Sequence, residues 1–178
     1  MTFRKATQAD ASRCLAIYDA VCDWEEANGK QTCWEKGWYP SEETVRDALA
    51  ADDLYVMEDD VDGKTLIVAC GRMNFYQPEY YTRFDWKIAA SPEDALILHT
   101  FGVHPELQRR GYGQSFISFY RNKAVQLGCH VLRLDTLITN QKSQAMYTKL
   151  GFSRAGQTEA DVDNYGTLYT LVGFEKAV

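Results

Sequence analysis

The sequence predicts a mixed α/β fold, with a sheet of about seven strands and about four helices, in a single domain over residues 1–178. Three observations lead to this prediction. A buried strand, a glycine-rich turn and an amphipathic helix follow one another between residues 95 and 128, and the apolar face of the helix is predicted to contain Phe116, Ile117, Tyr120, Ala124 and Leu127. A second strand follows this helix, and two consecutive strands joined by a helix are expected to run parallel. Short apolar runs bounded by turn residues elsewhere indicate further strands.

Composition limits the function. With 178 residues, of which 46% are hydrophobic, the chain is long enough to bury a core. Its formal net charge of −6 argues against a nucleic-acid surface and favours a cationic small molecule or peptide as partner. No stretch has the length and apolar character of a membrane span, and residues 1–6 do not resemble a signal peptide. A cytoplasmic protein with no membrane contact is therefore expected.

The cysteines predict neither a metal site nor a disulfide framework. They are odd in number and form no C-x-x-C pair, so free thiols in a reducing compartment are expected. The five residues are Cys14, Cys22, Cys33, Cys70 and Cys129.

The N-terminal half is predicted to contain three strands and two helices. Residues 58–63, rich in acids, are expected to form a solvated turn within a hairpin. The elements are a strand over residues 2–6, a helix that starts at Thr7 or Asp10 and ends near Asn28, a helix capped by Ser41, and strands over Leu54–Met57 and Thr65–Met73.

A long connection over residues 74–94 is too rich in aromatic residues to be disordered. It either covers the edge of the sheet or forms one wall of a pocket for an acceptor substrate. Its aromatic residues are Phe75, Tyr76, Tyr80, Tyr81, Phe84 and Trp86. Near the C-terminus, residues 153–159 and 165–174 are predicted to form a final hairpin.

The segment Gln108 to Gly113 has the features of a phosphate-binding turn. Gly111 and Gly113 lack Cβ atoms, which lets a ligand approach the backbone, and the free N–H groups of the following helix favour negative charge. Phe116 stands where a dinucleotide fingerprint needs its third glycine, and no Gly-Lys-Ser/Thr follows as in a Walker A loop. On its own this motif is a weak signal.

The sequence that surrounds the turn makes it specific. Val103-His104-Pro105 precedes it, a strand over residues 130–137 follows its helix, and Asn140 then leads into a helix with Tyr147-Thr-Lys-Leu-Gly-Phe. In order and spacing these motifs resemble the GCN5-related N-acetyltransferase (GNAT) superfamily. The resemblance is strong in the C-terminal half and holds in outline in the N-terminal half. It implies the GNAT-like acyl-CoA N-acyltransferase fold, with two central parallel strands that splay apart.

The resemblance implies acetyl-CoA as the cofactor. Its pyrophosphate would accept hydrogen bonds from the main chain of residues 109–114, and Arg109 and Arg110 would either assist electrostatically or be ordinary exposed charges. The pantetheine arm would pair with the main chain of Phe101 and Val103, where one amide could polarise the thioester carbonyl. The implied cofactor-binding residues are Phe101, Val103, Gln108, Arg109, Arg110, Gly111, Tyr112, Gly113, Gln114, Asn140, Ser143 and Tyr147.

Tyr147 would be the catalytic acid by the same resemblance, placed beside the sulfur to protonate the departing thiolate. A phenol with a pKa near 10 can hold its proton until it is needed. The alternative is an aromatic residue of the core. Asn140 and Ser143 precede Tyr147 at helical spacing on nearly the same face. Asn140 also fits a plain helix N-cap, and the two roles are compatible.

A base is also needed, because an alkylammonium group must lose a proton before it can attack. His99 lies an even number of residues before Phe101 and Val103, so in a regular strand its side chain would share their face. Its position resembles that of a strand histidine in arylalkylamine N-acetyltransferases. The alternative is a histidine satisfied within the sheet. Asp135 and Glu79 are weaker candidates for the base or for an ammonium anchor.

The predicted function is acetyl transfer from acetyl-CoA to a primary amine of a small molecule or peptide, by direct attack and without a metal. Two alternatives stay open, a non-catalytic acyl-CoA sensor and the same fold with another acyl donor. The aromatic and acidic segments favour a hydrophobic or aromatic amine as the acceptor. Exposed strand edges would also allow a homodimer.

Overall fold

The computed structural model describes residues 1–162 and 166–178. Seven strands in this part of the chain form one mixed sheet in the order β1-β2-β3-β4-β5-β7-β6, and four α-helices accompany it. The predicted mixed α/β fold is confirmed. The elements are β1 (Thr2–Lys5), α1 (Ala11–Asn28), α2 (Glu42–Ala50), β2 (Leu54–Val61), β3 (Lys64–Asn74), β4 (Ala95–Val103), α3 (Tyr112–Leu127), β5 (Val131–Leu137), α4 (Gln141–Lys149), β6 (Ser153–Asp161) and β7 (Leu168–Ala177).

The chain divides into two compact units. The first unit contains Met1–Gly29, Trp34–Met73 and His99–Phe119. The second unit contains Lys30–Cys33, Asn74–Leu98 and Tyr120–Val178. Strand β4 and helix α3 therefore contribute residues to both units.

In the first unit, β2 pairs antiparallel with both β1 and β3. The prediction that residues 58–63 form the turn is wrong in extent, because β2 continues to Val61 and Glu58 pairs with Ile67. The turn itself is the pair Asp62 and Gly63, which have φ values of 54° and 78°. Two consecutive left-handed residues are the conformation that a tight hairpin with right-handed strand twist requires, and Asp-Gly adopts it readily.

The predicted helix boundaries of the first unit are confirmed by their caps. The Oγ atom of Ser41 accepts a hydrogen bond from the amide of Thr44 at 3.3 Å, so Ser41 caps α2. Gly29 ends α1 with a φ of 98°. A short 3₁₀ turn over Gln8–Asp10 precedes α1, which places the start of the α-helix just after Asp10.

In the second unit, β4 and β5 run parallel, as predicted. Their pairing extends from Ala95–Val131 to Ile97–Arg133, a short contact that agrees with the prediction of parallel strands that splay apart. Strand β7 pairs antiparallel with both β5 and β6. The predicted final hairpin is present, but its tip at residues 163–165 lies outside the described part of the chain.

The long connection of residues 74–94 covers part of the second unit's core. Its 3₁₀ turn, Glu79–Arg83, buries Tyr81, and Phe84 follows directly. Both rings join a hydrophobic cluster that includes Ala95 and Ile97 of β4. These buried rings support the covering role, whereas Phe75 and Tyr76 at the start of the connection are exposed.

The buried ion pair of Arg133 and Glu175 holds this connection on the sheet. Arg133 of β5 is 5% exposed, and its Nη2 atom donates to the carbonyl oxygen of Ile88 at 2.9 Å. Glu175 of β7 is 1% exposed and accepts from the amide of Lys87 at 2.5 Å. The guanidinium also lies 4.5 Å from the ring centroid of Trp86. Two strands therefore hold the connection through its main chain.

The predicted inner face of α3 is confirmed for four of its five residues. Phe116, Ile117, Tyr120 and Ala124 are buried. Leu127 is 46% exposed, so its assignment to this face is wrong. It lies in the last turn, directly before Gly128, where the helix ends and the chain changes direction with a φ of 77°.

The five cysteines lie within the described residues, and none of them forms a disulfide bond. No helix within the described residues has both the length and the apolar character that a membrane crossing requires.

Candidate active site

The predicted phosphate loop lies in the first unit, between β4 and α3. The chain passes through left-handed conformations at Arg109, with a φ of 65°, and at Gly111, with a φ of 85°. Turns of this kind make concave surfaces of main-chain N–H groups that bind anions. A Cβ atom added at Gly111 would meet no atom within 4 Å, so the space beside the loop is open.

Helix α3 begins with three amides that have no helical acceptor. The first bond of the helix runs from the amide of Ser115 to the carbonyl oxygen of Gly111 at 3.0 Å. The amides of Tyr112, Gly113 and Gln114 precede it, and no acceptor among residues 1–162 and 166–178 takes them. Together with the helix dipole, these N–H groups favour an anion at this end of α3.

The side chain of Tyr112 anchors the start of the helix. It is buried, and its hydroxyl donates to Asp59 Oδ2 at 2.9 Å. Asp59 also lies 3.0 Å from the N-terminal ammonium group, and hydrogen bonds from this group and from Tyr112 lower the pKa of its carboxyl. Tyr112 can therefore offer a ligand only its main chain. The side chains of Gln108, Arg109, Arg110 and Gln114 are exposed.

Strand β4 is irregular at the point where the sequence predicts a base. Thr100 has a φ of 47°, which is rare for a β-branched residue and interrupts the alternation of side chains along the strand. The expectation that His99 shares a face with Phe101 and Val103 requires a regular strand. Because Thr100 interrupts the strand, that expectation is no longer supported. His99, Phe101 and Val103 are all half-buried.

Two tyrosines hold this irregularity in place. The hydroxyl of Tyr18 donates to the carbonyl oxygen of Thr100 at 3.0 Å, and the hydroxyl of Tyr39 lies 3.2 Å from Thr100 Oγ1. Gly102 packs close by, because a Cβ atom there would lie 3.3 Å from the ring of Trp34. Contacts from α1 and from the segment before α2 thus fix the unusual backbone of β4, and no local sequence pattern indicates these contacts.

Tyr147 lies in the second unit, on α4, with 5% of its surface exposed. Burial raises the pKa of its phenol well above the ordinary value, and the nearby charge of Asp135 raises it further. The hydroxyl of Ser143, one turn earlier, has the opposite effect on this pKa. The rings of Phe152 and Phe174 lie 5.9 and 5.6 Å from the ring of Tyr147. Tyr147 is therefore a protonated phenol at neutral pH.

Asn140 is the N-cap of α4, which confirms this reading of the sequence. Its Oδ1 atom accepts from the amide of Ser143 at 3.1 Å. Its backbone, with φ and ψ of −80° and 66°, is not helical, so the argument that residues share a helix face holds only for Ser143 and Tyr147. The cap fixes the first turn of the helix that carries Tyr147.

The structure makes Asp135 a stronger candidate for the base or the ammonium anchor than the sequence does. It lies on β5, half-buried, and its Oδ1 atom accepts from the hydroxyl of Tyr81 at 2.6 Å. Burial raises the pKa of its carboxyl to about 6, and the hydrogen bond from Tyr81 acts in the opposite direction. No local pattern connects two residues 54 positions apart, so sequence reasoning missed this pair. Glu79, the other acidic candidate, is exposed.

Known structures share this fold at low sequence identity. An acetyltransferase of the GNAT family from Streptococcus agalactiae is 18% identical, with a TM-score of 0.77 over 99% of this chain and 95% of that chain. Ribosomal-protein-alanine N-acetyltransferase from Brucella melitensis is 18% identical, with a TM-score of 0.71 over 100% of both chains. The protein yncA from Salmonella typhimurium, solved with its cofactor acetyl-CoA, is 18% identical, with a TM-score of 0.66 over 99% of this chain and 93% of that chain.

The sequence itself identifies the family. No curated protein matches the chain in a sequence comparison. A family model described as acetyltransferase (GNAT) family matches residues 18–152, a range that contains the glycine loop, the cap at Asn140 and Tyr147. Because this match extends over most of the chain, the protein belongs to the GNAT family of acetyltransferases.

Proposed function

We propose that this protein transfers an acetyl group from acetyl-CoA to a primary amine of a small molecule or peptide, and that residues 1–178 act as one domain. Membership of the GNAT family supports an acyltransferase that acts on amines. The observation that carries the proposal is the start of α3, where three amides without acceptors follow the open turn at Gly111. This arrangement fits a diphosphate, which needs several N–H donors and a close approach to the backbone.

Acetyl-CoA would supply the thioester. The amides of Tyr112, Gly113 and Gln114 donate to its diphosphate, and the exposed positive charges of Arg109 and Arg110 raise the local potential. Main-chain groups of β4 pair with the extended part of the cofactor. The proposed cofactor-binding residues are Phe101, Val103, Gln108, Arg109, Arg110, Gly111, Tyr112, Gly113, Gln114, Asn140, Ser143 and Tyr147.

Tyr147 holds the proton that the leaving sulfur needs. Its burial and the nearby carboxylate of Asp135 keep the phenol protonated at neutral pH, so the proton is available when negative charge develops on sulfur. The amine attacks the acyl carbon directly, without a covalent enzyme intermediate. Cys129 is buried, and burial raises the pKa of its thiol, which makes it a poor nucleophile.

His99 is a candidate base that the sequence puts forward, because an imidazole titrates near neutral pH. The left-handed Thr100 beside it removes the argument from strand alternation. Substitution of His99, compared with substitution of Asp135, decides whether His99 is the base.

Release of coenzyme A thiol, followed with a thiol-reactive dye over a panel of primary amines, tests the function. We expect release that depends on an amine, and an acetylated amine detected by mass spectrometry. Tyr147→Phe should lower kcat by about 10²- to 10⁴-fold and should lower the affinity for acetyl-CoA much less. Tyr120→Phe is the matched control, since Tyr120 is also a buried phenol but its hydroxyl hydrogen-bonds to main-chain groups of Leu96 and Arg133.

The same assay separates the alternatives. Binding of acetyl-CoA without turnover of any amine would favour an acyl-CoA sensor and refute the enzyme. Faster turnover with a longer acyl-CoA would assign another donor to the same fold. Equal kcat values for Tyr147→Phe and Tyr120→Phe would remove Tyr147 as the proton donor.

A further inference from the structure

We infer that Asp135 binds the ammonium group of the acceptor and takes its proton, and that Tyr81 positions the Asp135 carboxylate for this task. The inference rests on the proposed function and adds that the primary amine binds as its cation. It also assigns a catalytic role to a residue outside the glycine loop and α4.

The two oxygens of Asp135 differ in their contacts. Oδ1 accepts the hydroxyl of Tyr81, whose ring is 1% exposed and fixed in the hydrophobic cluster with Phe84. Oδ2 accepts no hydrogen bond from any residue that the structure describes. Since Asp135 is only half-buried, Oδ2 is open to a donor from a ligand. One oxygen thus fixes the carboxylate while the other stays available.

The position of Asp135 on the strand is that of a ligand-binding residue. The parallel pairing of β4 with β5 ends at Ile97 and Arg133, and Asp135 follows two residues later towards the carboxyl end of β5. On its other edge β5 still pairs with β7, where Asp135 lies opposite Gly173. Ligands of α/β sheets bind at the carboxyl ends of parallel strands, where neighbouring strands part.

Asp135 lacks a cation of its own. Arg133, the nearest positive side chain on its strand, is engaged by Ile88, by Trp86 and by Glu175, whose Oε2 atom lies 3.8 Å from Arg133 Nε. In the part of the chain that the structure describes, no lysine, arginine or histidine forms an ion pair with Asp135. A partly buried carboxylate without a positively charged partner is costly, and a bound ammonium group would relieve that cost.

Two ionisable side chains interact with this carboxylate, Tyr81 on the 3₁₀ turn and Tyr147 on α4. Arg133 on β5 and Glu175 on β7 lie two positions back along their strands and pair with each other. The pKa of Asp135, about 6, leaves it ionised at pH 7 and able to accept a proton near that pH. Asp135 and Tyr147 are thus a base and an acid whose pKa values their surroundings set far apart, a pattern that marks acid–base pairs in enzymes.

The proton balance of the reaction closes with these two residues. The ammonium group gives one proton to Asp135 Oδ2, and the free amine then forms the N–C bond to the acyl carbon. The C–S bond breaks with its electron pair on sulfur, which takes the proton of Tyr147. After the attack the nitrogen carries two protons: one stays in the amide, and the other returns to the phenolate of Tyr147. Asp135 then releases its proton to water. Because the charge of Asp135 raises the pKa of Tyr147, protonation of Asp135 makes the proton of Tyr147 easier to release.

The pH dependence of kcat/KM, which reports the free enzyme, tests the assignment. The wild-type protein should lose activity as the pH falls below about 6, where Asp135 becomes protonated. Asp135→Asn should lower kcat/KM by about 10²- to 10⁴-fold and abolish this acidic decline. The hydrogen bond from Tyr81 lowers the pKa of Asp135 in the wild-type protein. Tyr81→Phe removes this bond and raises the pKa, so the decline should move to higher pH. Asp94→Asn, a carboxylate of the same unit held by Ser91, is the control that should change nothing.

His99→Gln separates the two candidate bases. We expect His99→Gln to keep the acidic decline at its wild-type position. If His99→Gln abolishes the decline while Asp135→Asn keeps it, the base is His99 and the inference is wrong. Unchanged affinity of Asp135→Asn for acetyl-CoA shows that the variant is folded.

A titration by NMR of the ¹³C-labelled Asp135 carboxyl gives a readout that does not depend on turnover. The probe is n-butylammonium chloride, compared with sodium chloride at equal ionic strength. Pairing with the ammonium group should lower the pKa of Asp135 by about one unit or more. An unchanged pKa would overturn the inference even if the protein acetylates amines. A lowered pKa without turnover would keep the cation site and refute the proposed enzyme.

Discussion

The hydroxyl of Tyr81 lies 2.6 Å from Asp135 Oδ1, and this hydrogen bond joins a 3₁₀ turn of the long aromatic connection to β5. A carboxylate fixed by a buried phenol loses part of its hydration without gaining a positive partner. Such an arrangement lowers the stability of the fold, and carboxylates of this kind cluster at functional sites. The same relationship therefore predicts both a functional and a thermodynamic effect.

Asp135→Asn should stabilise the fold at pH 8. The pKa of Asp135 rises from 3.8 to about 6 on folding, so between these pH values the folded state holds more protons than the unfolded state. Stability is then fully present below pH 3.8 and is lost as the pH rises to about 6. A permanently neutral side chain escapes this loss, which amounts to at most about 3 kcal/mol.

Urea denaturation of wild type and Asp135→Asn across the pH range measures this effect. The two proteins should have the same free energy of unfolding at the acidic end and diverge as the pH passes through the window. An Asp135→Asn variant that is less stable at pH 8 would show that the ionised carboxylate contributes to the fold, contrary to its placement.

Asn140→Ala should lower the free energy of unfolding by about 1 kcal/mol, because the amide of Ser143 loses its capping oxygen. Asn140→Ser supplies another capping oxygen and should recover most of this loss. Urea melts of both variants, combined with affinity for acetyl-CoA, separate the cap from the cofactor contact. If affinity falls in the serine variant although stability is recovered, Asn140 also binds the cofactor; equal stability of the two variants would exclude the cap.

Gly173→Ala should destabilise the protein by about 1–3 kcal/mol, because the added Cβ atom would lie 2.8 Å from Cγ of Phe84. Gly102→Ala is the comparison, since its Cβ atom would come no closer than 3.3 Å to the ring of Trp34. Thermal denaturation should rank Gly173→Ala as the less stable variant. The reverse order would mean that the ring of Phe84 moves aside freely and that the packing around Asp135 is loose.

Local signals explain what the sequence predicted correctly. The sequence predicts the caps Ser41 and Asn140 because a capping residue acts within three positions of itself. The turn at Gly111 and the parallel arrangement of β4 and β5 follow from glycine placement and from the intervening helix, which are also short-range features. The motif order then indicated the family, which the family model confirms.

What the sequence did not reveal depends on contacts between distant residues. Thr100 adopts a left-handed conformation that Tyr18 and Tyr39 support, and neither tyrosine is near Thr100 in sequence. Tyr81 and Asp135 meet only because the aromatic connection folds back on β5. The sequence underestimates the length of β2 because its acidic residues have the composition of a solvated turn, although an antiparallel sheet can expose charged side chains on one face.

Calorimetric titration of acetyl-CoA into Gly111→Ala and Gly128→Ala tests the central claim most directly. Both glycines have positive φ values, 85° and 77°, and an added Cβ atom would meet nothing within 4 Å at either, so the backbone cost of about 1–2 kcal/mol is matched. Only Gly111 lies at the proposed diphosphate site, at the start of α3, whereas Gly128 lies at its end. We predict wild-type affinity for Gly128→Ala and at least about tenfold weaker binding for Gly111→Ala, a difference of about 1.4 kcal/mol. Equal affinities, or no binding by the wild-type protein, would contradict the claim that the main chain at this helix start holds acetyl-CoA.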